Sequence, residues 1–203
     1  MPLNSEFKSL CNRWKEKASK YDASDTHQLF DKYFSLYVVF NALYVETAAY
    51  LHRKDIDKKK DGCKLQEGSF PDKNAATQYV LDLLKAKSLM QSLEDNTETN
   101  LAIEEIKKLL TPQNSHHFWI CLDPVFGEPQ EKEDQNLLQA LSSSNAHHRA
   151  GAILKIIYQV RCNMFHGRKS VEPIQKQLLL PLIVLLEKII ENLYQKLDSA
   201  EYI

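Results

Sequence analysis

Apolar residues recur mostly at steps of three and four positions along this chain of 203 residues. That spacing places them on one face of an α-helix, whereas a half-buried strand would alternate apolar and polar positions. The chain holds only 5 Gly, and it lacks turn pairs such as Asn-Gly, which tight hairpins favour. The pattern therefore predicts an all-α fold.

The apolar segments and their capping residues predict the helices one by one. A first helix runs from Leu3 to about Ser19, and Asp25 caps a long second helix that reaches Leu51 and is apolar on most sides, as a central helix would be. Asn74 is expected to cap a helix that ends near Leu93. Further helices are predicted at 99–110, at 134–141, in the segment that ends near residue 166, and at 172–197.

Two stretches interrupt this pattern. Residues 55–73 are charged and contain Gly and Pro, so they are predicted to form an exposed linker whose lysine run, 58–60, is solvated. Residues 111–133 form a long loop with three aromatic residues that look exposed: Phe118, Trp119 and Phe126. Long loops are often lids or binding surfaces, and the alternative is an insertion that its own aromatic side chains hold in place.

Composition limits the classes of function. With 43% hydrophobic residues and a net charge of −1, residues 1–203 are predicted to form one domain, and any binding of nucleic acid requires a local basic patch. The cysteines show no Cys-x-x-Cys spacing and no leader segment opens the chain, which favours a reduced, cytoplasmic protein. The most apolar stretch, 178–186, is too short to span a membrane and is assigned to the core.

The candidate chemistry lies in the segment 161–169, Arg-Cys-Asn-Met-Phe-His-Gly-Arg-Lys. Asn163 and His166 are three positions apart and share a helix face. Arg161 lies about 140° around a regular helix from His166, since each residue turns by about 100°. Either the last turn unwinds before Gly167, or Arg161 and His166 meet across two subunits of a homodimer.

His166 lies at the predicted end of the helix, just before a Gly suited to the left-handed cap position. The unpaired carbonyls there favour imidazolium and the neighbouring cations oppose it, so this His could titrate near neutral pH and transfer protons. The structural alternative is a His that caps carbonyls and an Arg that pairs with a scaffold carboxylate.

The segment 158–167, Tyr-Gln-Val-Arg-Cys-Asn-Met-Phe-His-Gly, resembles the Arg-Asn-x-x-x-His signature of the HEPN superfamily, and 40–44, Phe-Asn-Ala-Leu-Tyr, resembles its companion segment. The resemblance implies a dimeric, up-and-down helical bundle. In many members it also implies a metal-independent endoribonuclease of toxin–antitoxin, anti-phage or RNA-processing systems. Arg161 and His166 match the catalytic pair. Asn41 matches a supporting position, and the alternative is a buried Asn that ties helices together. Asn163 matches a polar position of the motif, displaced by one because Cys162 directly follows the Arg.

These matches give a mechanistic hypothesis. His166 removes the proton of an RNA 2′-hydroxyl, which attacks the adjacent phosphate, while Arg161 stabilises the charge that develops on the phosphate oxygens. Asn163 orients the His or the phosphate, and Arg168 and Lys169 hold neighbouring phosphates. The expected partners are RNA, a second copy of the chain, and a cognate antitoxin or regulatory protein; no metal or cofactor is required. A non-catalytic binding dimer and a helical interaction protein that docks through 118–126 are the alternatives.

Overall fold

The structure, a computed structural model, describes residues 3–58, 72–112, 118–123, 125–165 and 175–199. These residues form a bundle of α-helices with a single isolated β-bridge, between Leu122 and Pro129. The helices are α1 (Ser5–Ser19), α2 (Thr26–Lys58), α3 (Asp72–Asn74), α4 (Val80–Leu84), α5 (Ala86–Glu94), α6 (Thr97–Leu110), α7 (Glu131–Leu141), α8 (Ala146–Phe165) and α9 (Gln175–Asp198). The predicted all-α fold is confirmed.

Polar side chains cap several helix starts, and the predicted cap at Asp25 is confirmed. The Asp25 carboxylate accepts the backbone N–H groups of His27 and Gln28 at the start of α2. Asn96 caps α6 in the same way by accepting the N–H of Thr99. Each cap satisfies N–H groups that have no partner inside the helix, which stabilises a helix end by about 1 kcal/mol.

The predicted helix at 74–93 is wrong in two respects. Asn74 makes no side-chain capping bond, and the helical backbone already begins at Asp72 and continues through a π-helical turn, Ala75–Tyr79, into α4. Lys85 then adopts a φ of 64° and separates α4 from α5. Left-handed backbone is uncommon for a residue other than Gly, so the sequence gives no sign of this break.

Helices α2 and α9 form the centre of the bundle. The aromatic side chains of Tyr33, Phe40 and Tyr44 on α2 are completely or almost completely buried, and α9 buries an apolar stripe although Pro181 lies inside it. The part of α2 from Thr26 to Arg53 is long and apolar enough to cross a membrane by length and composition alone. Its packing against α1 and α9 accounts for that apolar character within the bundle.

Helix boundaries at the predicted linker also differ from the prediction. Helix α2 continues to Lys58 and α3 begins at Asp72, so both ends of the predicted linker 55–73 are helical. Most of the linker, including two of the three lysines in its run, lies outside the described residues.

The loop between α6 and α7 is anchored by buried side chains. Phe118 and Ile120 are buried, so the expectation that Phe118 is exposed is wrong, whereas Phe126 is 79% exposed. The buried Asp134 carboxylate of α7 accepts the backbone N–H groups of Ile120 and Cys121 at 3.0 and 2.8 Å. These contacts attach the loop to the bundle beside α8.

Candidate functional site

Helix α8 carries the start of the motif into the bundle. Ile153, Ile156, Ile157 and Val160 are buried as predicted, and this face fixes the helix against its neighbours. The helix is regular through Phe165. Three predicted site residues, His166, Arg168 and Lys169, lie outside the described residues, so their roles stay predictions.

Arg161 projects from the last turns of α8 into an aromatic and polar environment. The centre of its guanidinium lies 4.4 Å from the ring centroid of Phe165 and 5.4 Å from that of Tyr37. Its Nη1 lies 3.6 Å from Asp72 Oδ2, and its Nε is buried without a hydrogen-bond partner among the described residues. The predicted alternative of an Arg paired with a scaffold carboxylate therefore describes one of its contacts.

The charge of Arg161 is maintained by its surroundings. Burial lowers the pKa of the guanidinium, but the contact with the Cys162 Sγ and the nearby Tyr37 and Asp72 outweigh it, and the pKa is raised overall. Aromatic faces attract a cation without neutralising it. A charged guanidinium whose Nε has no partner among the described residues is a group that can bind an anion such as phosphate.

Asp72 is held in place by two tyrosines. The hydroxyl of Tyr44 donates to Asp72 Oδ1 at 2.5 Å, and the hydroxyl of Tyr158 donates to Oδ2 at 3.3 Å. Burial is the main cause that raises the pKa of both tyrosines, so both hydroxyls stay protonated as donors at neutral pH. The Asp72 carboxylate therefore accepts from both tyrosines as well as lying beside Arg161.

Asn41 belongs to the same network, which we call the Arg161 network: Arg161, Asp72, Tyr44, Tyr158 and Asn41. The Tyr44 hydroxyl contacts Asn41 Oδ1, one turn away on α2. This contact and the Tyr44–Asp72 bond place the companion segment 40–44 beside the Arg161 side chain, and a supporting role for Asn41 stays a prediction. Sequence reasoning missed Asp72, which is 89 positions before Arg161 in the printed sequence, because no local pattern links it to the motif.

Asn163 lies in a different environment from Arg161. It is 4% exposed, its Nδ2 donates to the backbone carbonyl of Ile120 at 2.7 Å, and its Oδ1 accepts from Gln159 at 3.0 Å. Two positions along a helix correspond to a rotation of about 200°, so the two motif side chains leave α8 on nearly opposite sides. The structure thus gives Asn163 contacts that tie α8 to the loop before α7, and its catalytic role stays a prediction.

In the part of the chain that the structure describes, no group of three or more His, Cys, Asp or Glu side chains could hold a metal ion. The three described cysteines, Cys11, Cys121 and Cys162, are free thiols.

Comparison with known proteins adds no family to this geometry. The chain matches no family model, no curated protein and no solved structure. Its family and its activity are therefore matters of proposal, argued from the residues.

Proposed function

We propose that this chain is a metal-independent endoribonuclease of the HEPN type. The observation that carries the proposal is the state of Arg161, a charged guanidinium with no ion pair shorter than 3.6 Å among the described residues. Arg53 pairs with Glu46 at 2.7 Å and Arg149 contacts Glu94 directly, whereas the Asp72 carboxylate lies 3.6 Å from Arg161 Nη1. An Arg held by rings and a shared carboxylate keeps donors for a phosphate.

The chemistry follows from this arrangement. Arg161 binds the non-bridging oxygens of one phosphate and stabilises the charge that develops on them during attack. His166, five positions further along, takes the proton from the 2′-hydroxyl that attacks. The products are a 2′,3′-cyclic phosphate and a free 5′-hydroxyl, and DNA is not cleaved because it lacks the attacking group.

A homodimer with a composite site is part of this proposal. Helix α8 is α-helical through Phe165, so the turn that carries Arg161 does not unwind. Of the two arrangements that the motif spacing allows, we therefore adopt the one in which Arg161 and His166 meet across two subunits.

Mixing two inactive variants tests the composite site. In a heterodimer of Arg161→Ala with His166→Ala, one of the two sites would keep both residues. Random exchange makes about half of the dimers mixed, so about a quarter of the wild-type activity should return. No recovery in exchanged subunits would show that both residues act within one chain.

The activity itself is tested by incubating the purified protein with a mixed RNA pool in EDTA and analysing the fragment ends. We expect cleavage with cyclic phosphate ends, lost in His166→Ala and kept in His27→Ala, an exposed histidine at the start of α2. Cleavage that requires added metal, or that survives in His166→Ala, would overturn the mechanism. A toxin or anti-phage role, a cognate antitoxin and a cytoplasmic location belong to this proposal.

A second candidate is a non-catalytic module that binds RNA, a nucleotide or a protein. It is favoured by a turn between α6 and α7 whose tip exposes Val125 and Phe126 by 72% and 79%. The Asp123 carboxylate accepts the N–H groups of both residues, which keeps the apolar tip ordered. Loss of a protein partner in Phe126→Ser, with no effect of Arg161→Ala, would support this candidate.

A further inference from the structure

A cleft of about 500 Å³ lies between the π-helical turn, α7 and α8. Its floor is apolar, formed by Leu81, Leu137 and Ala152, and Gly151 leaves part of α8 without a side chain there. The volume falls in the range of about 300–1,000 Å³ that is usual for ligand pockets. The cleft can therefore hold about one or two nucleotides, but not a folded RNA.

Basic and amide side chains line this cleft. Among the lining residues, Lys73, Lys155, His147 and His148 are basic and only Glu133 is acidic. The start of α8 lies at the histidine end, where the helix dipole favours an anion. Amide side chains of Gln78, Gln130 and Asn136 add donors and acceptors of the kind that base edges engage. The lining thus suits a ligand with negative charge and polar edges.

The cleft is continuous with the Arg161 network. Tyr158 lines the cleft, and its hydroxyl donates to Asp72. Lys73 lines the cleft as well and directly follows Asp72 in the chain. From His148 to Tyr158 the cleft follows α8 for about 15 Å, since each residue rises about 1.5 Å. An RNA strand bound along the cleft would therefore lead towards Arg161.

We infer that this cleft binds the nucleotides of a single-stranded RNA that flank the phosphate held by Arg161. The inference rests on the proposed ribonuclease function and deepens it by identifying unpaired RNA as the substrate. Lys155 and Lys73 contact backbone phosphates, and the amides contact the bases. A double helix does not enter a cleft of this size.

The test measures binding of a fluorescent single-stranded RNA hexamer to a non-cleaving His166→Ala parent over a series of salt concentrations. Each lysine that contacts a phosphate of single-stranded RNA releases about 0.7 counterion, so the affinity depends on salt. We therefore expect Lys155→Gln to bind about fivefold more weakly in 0.1 M salt. The plot of log affinity against log salt concentration should become less steep by about 0.7. Lys20→Gln is the matched control, because this lysine directly follows α1, has a side chain that is 69% exposed and lines no part of the cleft. It should bind like the parent.

Filling the cleft gives a second, uncharged test. A Cβ on Gly151 would lie 3.7 Å from Leu81 Cδ1, an ordinary contact, so Gly151→Ala should weaken binding much less than Gly151→Leu. Unfolding curves of each variant show whether the fold is kept, and the surface variant Lys155→Gln keeps the test decisive if Gly151→Leu does not fold.

Three outcomes are distinguishable. Weaker binding by Lys155→Gln and Gly151→Leu, with Lys20→Gln unchanged, supports the cleft as the RNA site. If the parent binds RNA and Lys155→Gln binds it equally well with an unchanged salt slope, the cleft inference is overturned and the ribonuclease proposal stands. If the wild-type chain cleaves no RNA and the parent binds none, both are overturned.

Discussion

Replacing Asn163 by Ala should destabilise the fold more than it affects RNA cleavage. The variant removes the 2.7 Å hydrogen bond to the Ile120 carbonyl and leaves that buried oxygen without the donor. Removing one partner of a hydrogen bond costs about 1–3 kcal/mol when the other partner stays buried and unsatisfied. Gln159 is only partly buried and can turn to water, but Ile120 is fully buried, so we expect a loss of about 3 kcal/mol in the free energy of unfolding.

The loss should lower Tm by about 6–12 °C, given about 2–4 °C per kcal/mol for a domain of this size. Thermal and urea unfolding measure it, with Asn100→Ala as the control, because Asn100 is an exposed residue on α6. Cleavage per folded molecule should fall by much less than the factor of about 10² expected for a group in proton transfer. An unchanged Tm together with a large loss of cleavage would refute this reasoning and make Asn163 a residue of the reaction.

Three further predictions concern the surroundings of the site and the scaffold. Asp72→Asn should raise RNA affinity at low salt by up to about 1 kcal/mol, measured by filter binding, because the carboxylate that repels the phosphate beside Arg161 is removed. Weaker binding would contradict this and would show that Asp72 positions Arg161. Tyr33→Phe should lower the free energy of unfolding by about 1 kcal/mol, because the hydroxyl donates to the Ile157 carbonyl at 2.7 Å; unchanged urea unfolding would contradict this. Asn96→Ala should cost about 1 kcal/mol through the lost cap of α6, and an unaltered Tm would contradict it.

Much of the fold could be predicted from local signals. Helices α6 and α8 follow directly from apolar spacing, and Asp25 was recognisable as a cap because its side chain serves only the next residues of the chain. The stripe of α8 that includes Ile153 and Val160 was predicted to be buried and is buried. Such features depend on interactions within a few positions, which the sequence displays.

The details that failed depend on contacts between distant segments. Nothing local distinguishes Lys85 from other lysines, yet its backbone adopts a φ of 64° and separates α4 from α5. Phe118 was expected to be exposed because Pro and polar residues surround it. It is buried because the loop is attached to the bundle through Asp134.

The candidate site likewise combines residues that local sequence patterns predict with a residue that only contacts between distant segments reveal. The motif predicts Arg161 and the companion segment predicts Asn41 as site residues. Asp72, whose carboxylate lies 3.6 Å from Arg161, lies at the edge of a segment predicted to be a linker. No local pattern shows that Tyr44 and Tyr158, from two different helices, both donate to this carboxylate.

The most direct test of the account is the cleavage rate of Arg161→Ala on one short single-stranded RNA in EDTA. Arg53→Ala serves as the matched control, since Arg53 pairs with Glu46 on the surface of α2. We predict that Arg161→Ala loses about 10²–10³ in rate, the usual effect of removing one group that stabilises developing charge, and that Arg53→Ala keeps the wild-type rate. A folded Arg161→Ala protein that cleaves RNA as fast as the wild type would contradict the central role of this guanidinium.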